Sequence, residues 1–136
     1  MRWYFVATFL IYTLNVTGFR IGKFMLCTSC LKDEPIDLVF WVPYGAFVTA
    51  FWFAPHIGQW LLLGTFILFH AVQFIFTYKY WIWPDEKKIE SYNRHFARQH
   101  HIIKPRDDVL VPDTFHLLLF AKFFVNLVVI IIYIIV

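Results

Sequence analysis

Two cysteines, six histidines and one isolated lysine are the side chains of this 136-residue chain that could do chemistry. Cys27 and Cys30 stand at C-x-x-C spacing, which suits half of a tetrahedral zinc site or a redox pair. Such a site closes only with two more ligands, and His95, His100 and His101 fall in the other basic segment. Four-ligand closure is not evident, so the pair reads as two thiols at the entry of an apolar stretch. His70 lies in the middle of an apolar run, while His56 and His116 lie at the ends of runs. A histidine inside a membrane is a functional hypothesis by default, yet these three sit at different depths and do not suit bis-His haem ligation. Lys122 is the one charge well inside a run, and a lysine there either snorkels toward an interface or bonds polar groups among helices. No nucleophile–base pair, paired carboxylates or phosphate-binding Gly loop stands in the chain. The expectation is a protein without enzymatic activity, cofactor or metal.

The elements that carry these residues are apolar runs. The chain is 60% hydrophobic, 22% aromatic and only 15% charged, against roughly 25% charged in soluble domains. The runs predict four transmembrane helices in one domain, over about residues 3–26, 38–54, 59–80 and 115–136. Pro43 falls in the first turns of the second run, where a missing backbone donor costs little. Pro55-His56-Ile57-Gly58 is a tight-turn signal between the second and third. Tyr78, Tyr80, Trp81 and Trp83 close the third run with an aromatic belt suited to headgroup depth. Met1–Phe19 lacks a clean cleavage site and reads as a retained first span rather than a removed leader. The sequon Asn15-Val16-Thr17 lies inside that span, out of reach of glycosylation.

Charge orients the runs. Arg20, Lys23 and Lys32 fall in one polar break, and seven more basic residues fall between Lys79 and Asp113. Short loops rich in Lys and Arg stay on the cytosolic side. Loops 27–37 and 81–113 are therefore expected in the cytosol, with both termini lumenal or extracellular. All nine acidic residues share these segments, so the net charge of +3 is no nucleic-acid footprint. In the longer loop, Ile89, Tyr92, Phe96 and Ile103 approach helical spacing among Lys87, Lys88, Arg94 and Arg98. Such a segment can lie flat on the bilayer, apolar side down and basic side toward anionic lipid. Asn15, Gln73 and Asn126 are the intramembrane polar groups able to join helices, in one protein or between two.

Several short motifs, in order along most of the chain, resemble the cornichon family. Trp3, Asn15, Gly18 and Phe24 resemble its first span. Glu34-Pro35-Ile36-Asp37 is similar to its Asn-Pro-Ile-Asp/Glu element, with Glu in place of Asn. Val42-Pro43-Tyr44 resembles the opening of its second span, Gln59-Trp60-Leu61-Leu62-Leu63-Gly64 that of its third, and Phe115-His116-Leu117-Leu118-Leu119-Phe120 that of its last. The resemblance implies an export receptor of the endoplasmic reticulum and Golgi, or an auxiliary subunit of the kind that serves glutamate receptors. Its expected partners are other integral membrane proteins, the COPII coat and the lipid bilayer. Helix docking is expected at Asn15 and Gly18, on one face, with grooves formed by Phe40, Trp41, Phe47 and Phe51. The Glu34–Asp37 element and, by position, the longer loop are expected to meet coat or cargo. The rival expectation is a small structural accessory subunit of a large membrane complex, such as a respiratory assembly of the mitochondrial inner membrane.

Overall fold

A computed structural model of the chain describes residues 1–22, 24–27 and 36–136. Helix α1 covers Arg2–Val16 and is followed by a hairpin of two short strands, β1 (Phe19–Ile21) and β2 (Phe24–Cys27). Helices α2 (Ile36–Phe53) and α3 (Pro55–Gln73) form a tight pair. The α3 axis runs on through a π-helical turn, Phe74–Tyr78, and a last turn, Lys79–Ile82. Helix α4 (Glu86–His95) lies in the long connection, and α5 (Thr114–Ile135) completes the fold. Among the described residues the architecture is thus helical apart from this hairpin.

The first apolar run is shorter as a helix than its composition suggests. Thr17 bonds back to the carbonyls of Thr13 and Leu14, and Gly18 and Gly22 take φ of 90° and 58°. That left-handed region is open to glycine and costly for other residues. The helix expected to reach residue 26 therefore ends at Val16, and apolar residues such as Phe24 and Leu26 pair as strand instead. Gly18 consequently stands off the helix, and it does not share a helical face with Asn15. Among the described residues, two helices are long and apolar enough to cross a membrane, Pro55–Ile82 and Thr114–Ile135. Leu38–Phe53 is apolar but shorter.

Aromatic rings fill the centre. Phe5, Tyr12, Tyr44, Phe51, Phe66, Phe69 and Phe123 are fully buried among α1, α2, α3 and α5. Phe69 and Phe123 stack with centroids 3.8 Å apart, and Phe66 meets Phe123 edge-on at 5.8 Å. The edge-on arrangement is one the ring quadrupole favours, whereas the close Phe69–Phe123 stack rests on packing. The outer faces are also apolar: Trp3, Leu14, Val42, Phe53, Leu68, Phe76, Phe124 and Ile132 are all exposed.

The long connection turns its apolar side inward, which corrects the expectation that it lies on lipid. Ile89 and Phe96 are buried, and Phe96 packs edge-on against His116 of α5 at 4.9 Å. Only Ile102 and Ile103, beyond α4, stay exposed with Ile82 and Trp83. Asp85 caps α4 by accepting from Lys88 N at 3.0 Å, one of the side chains that complete helix starts.

Candidate functional site

The α2 and α3 helices leave an apolar groove of about 440 Å³ between them. Phe40, Pro43 and Phe47 supply one wall at i, i+3 and i+7, the spacing that places residues on one helical face. Trp60, Gly64 and Leu68 supply the other at i, i+4 and i+8. Gly64 faces open space in the groove, since a Cβ added there would touch nothing within 4 Å. The one hydroxyl on its wall, that of Thr65, bonds the Leu61 carbonyl of its own helix at 2.8 Å. The groove can therefore hold an apolar chain or a helix edge by packing, and it offers no catalytic group.

Of the residues expected to receive partner helices, Phe40 and Phe47 meet in this groove. Trp41 turns instead toward α1, donating from Nε1 to Thr13 Oγ1 at 2.9 Å. Phe51 packs in the core against Phe5 and Tyr133. Asn15, near the end of α1, lines no part of the groove. Glu34, Pro35 and Cys30 lie outside the described residues, while Ile36 and Asp37 form the first turn of α2. Pro43, Trp60, Gly64 and Leu68 were not singled out from sequence as groove residues. The signal was available in the i, i+4, i+8 pattern of Trp60, Gly64 and Leu68, a small residue between bulky ones.

Behind the groove, a buried polar network ties three helices. Tyr4 OH donates to Asn126 Oδ1 at 2.8 Å, and Asn126 Nδ2 donates to Tyr44 OH at 3.2 Å. Tyr44 OH also shares a hydrogen bond with Thr8 Oγ1 at 2.7 Å. Asn126 and Tyr44 are both 0% exposed. Asn126 thus joins helices as expected of it, whereas Gln73 accepts from Thr77 within its own helix. Interhelical bonds of this kind average about 0.6 kcal/mol in membrane proteins. Lys122 also turns inward, with Nζ 3.9 Å from the centroid of the Tyr12 ring, a cation–π contact. His70 meets Phe69, Phe120 and Phe124 edge-on.

A second polar cluster sits where the long connection enters α5. Asp113, 0% exposed, caps α5 by accepting from His116 N at 3.0 Å. Its other oxygen lies 2.7 Å from His116 Nδ1 and accepts from Tyr92 OH at 2.9 Å. The Gln99 amide nitrogen, in the orientation that satisfies both its ends, donates to both oxygens at 3.3 Å. Thr114 Oγ1 holds the loop by accepting from Ile102 N at 3.1 Å and bonding His100 Nδ1 at 2.8 Å. Burial pushes the Asp113 carboxyl up, but the His116 bond and charge and the Tyr92 bond outweigh it and hold the group below the usual carboxylate range. Both oxygens of Asp113 are engaged in clamping α4 and the loop to α5, so the cluster reads as a structural clasp. Among the described residues, no three His, Cys, Asp or Glu side chains gather as a metal site.

No protein-family model matches the chain, and no curated protein and no solved structure matches it.

Proposed function

We propose that this chain is a multi-pass membrane protein that binds other integral membrane proteins, with the α2–α3 groove as its docking surface. The groove is the observation that supports the reading. Two helices have the length and composition of spans, and their outer faces carry large exposed apolar side chains. Soluble monomers rarely expose contiguous apolar surface of this kind. In lipid no hydrophobic drive brings helices together, so association rests on close packing around small residues. Gly64, which faces open space in the groove that Pro43 also lines, leaves room for that close approach by a partner helix. The fuller form of the proposal has four spans, both termini on the extracytosolic side, and the role of a cornichon-like cargo receptor in the early secretory membranes. Its support is the Lys/Arg bias and the order of short motifs.

Gly64→Leu is the direct test. The substitution fills open space, so the protein should still insert and remain monodisperse, while partner recovery from native membranes falls about tenfold, the effect of losing ~1.4 kcal/mol of packing. Unchanged recovery would remove the groove from the binding surface. A partner recovered in fixed stoichiometry within one large complex, with no cycling through secretory membranes, would favour the accessory-subunit role over the cargo-receptor one.

Topology has its own test. In sealed vesicles with the extracytosolic face outward, Cys27 and Cys30 should resist a membrane-impermeant maleimide until the vesicles are opened. Labelling of intact vesicles would reverse the orientation.

A further inference from the structure

At the end of α3 lies a cleft of about 270 Å³ whose chemistry changes along its length. One wall is aromatic, formed by Phe76 and Tyr80 from the last turns of α3 and by Phe96 from the loop. The other wall is polar: Lys88, Ser91 and His95 of α4 stand at i, i+3 and i+7, all exposed. The charges of α4 are sorted between its faces. Glu86, Glu90, Arg94 and Asp107 line a separate cleft on the far side, where Arg94 pairs with Glu90. No carboxylate lines the Lys88 side, and the Lys88 ammonium pairs with no acid among the described residues. Lys79 adds a second cation at this end of α3, with Nζ 4.8 Å from the Tyr80 ring centroid.

We propose that this cleft binds an anionic phospholipid, its acyl chain along Phe76, its glycerol beside Tyr80 and its phosphodiester between Lys88, Ser91 and His95. The proposal rests on the reading that α3 crosses the bilayer. Phe76 is exposed in the run that precedes the aromatic belt, and the belt places Tyr80 at headgroup depth. A lipid here meets apolar wall and cationic wall in the order in which its own chain and headgroup lie. The hydroxyl of Ser91 can donate to a phosphate oxygen, and Lys88 supplies charge without the desolvation cost of a buried ion. Because Ile89 and Phe96 pack inward, α4 is held by the protein rather than by lipid, and this face is left for a single bound molecule.

The test uses the full-length protein purified in detergent and mixed with equal amounts of dioleoyl phosphatidylglycerol and dioleoyl phosphatidylcholine, which share acyl chains. Bound lipids are counted by native mass spectrometry. The glycerol lipid should be retained about fivefold over the choline lipid, the effect of one lysine beside an anionic headgroup. Lys88→Gln should bring the ratio close to one. Lys87→Gln, exposed on the neighbouring position outside the cleft, should leave it unchanged. Equal retention of the two lipids, or an equal loss in both variants, would overturn the proposal. So would displacement of the lipid by inorganic phosphate alone, which would make a free anion the ligand. Release of the chain from membranes by alkaline carbonate would instead defeat the spanning reading, and it is scored before any lipid is added.

Discussion

Replacing Asp113 with Ala should lower the unfolding midpoint of the detergent-solubilised protein by roughly 10 °C, about 3 kcal/mol for a chain of this size. The carboxylate is fully buried and accepts from His116 N, His116 Nδ1, Tyr92 OH and the Gln99 amide. Alanine removes the cap of α5, worth about 1 kcal/mol, and leaves the remaining donors buried without their acceptor, which costs about 1–3 kcal/mol more. Asp113→Asn keeps one acceptor for the cap and should lose about half as much by the same reasoning. Asp107→Ala, an exposed carboxylate of the same loop, should stay within about 0.5 kcal/mol of the parent. The sign with pH follows from the depressed folded value of Asp113. Its contribution is present above the unfolded value near ~3.9 and is lost as pH falls from there through the folded value. The parent should therefore lose midpoint temperature below about pH 4 in excess of Asp113→Asn. Parallel pH curves for the two proteins would show that the carboxylate charge is not what holds the clasp.

The clasp was partly legible beforehand. The last helix is expected from about residue 115, and α5 begins at Thr114 with Asp113 as its cap. What the run could not reveal is that Tyr92 and Gln99, 21 and 14 residues upstream, close on the same carboxylate, since that depends on how the loop folds back. The same division holds elsewhere. The tight turn expected over Pro55–Gly58 is instead the first turn of α3, where a proline needs no backbone donor, whereas Asn126 reads from sequence as a polar group able to join helices. Its partners, Tyr4 and Tyr44, are reached only once three helices are adjacent. Hydropathy alone overstates the first span because it continues through Phe24 and Leu26, whereas backbone conformation at Gly18 and Gly22 decides where the helix ends. The α4 segment departs from expectation for a related reason. Amphipathic spacing identifies an apolar side but not whether lipid or protein covers it, and the buried Ile89 and Phe96 favour protein. Phe40 and Phe47 were found by size alone, without the α3 wall that makes them a groove.

Gly58→Ala is expected to be the most damaging of the glycine replacements and to break the α2–α3 pair. The residue follows Pro55 in the first turn of α3, where its N–H bonds the Ala54 carbonyl at 2.9 Å. There the two helices pass so closely that a Cβ on Gly58 would fall 2.7 Å from Phe51 Cβ and closer still to Phe51 N and Cα. Backbone atoms cannot rotate away as a side chain can, so the helices must separate. That separation loosens Phe51 from Phe5 and Tyr133. Overpacking in a filled interior costs about 1–3 kcal/mol, and here the upper end applies because the obstacle is main chain. Two other glycines of the same helices calibrate the effect. A Cβ at Gly45 would meet the tip of the Phe9 ring at 2.7 Å, and a ring can tilt, so Gly45→Ala should cost less. Gly64→Ala meets nothing and should stabilise by about 0.5–1 kcal/mol, the gain of alanine over glycine inside a helix. The expected order of midpoints is therefore Gly64→Ala above the parent, then Gly45→Ala, then Gly58→Ala, read by tryptophan fluorescence during a thermal ramp. A Gly58→Ala protein as stable as the parent would mean that α2 and α3 do not approach at this turn. The groove that depends on their approach would then have no walls.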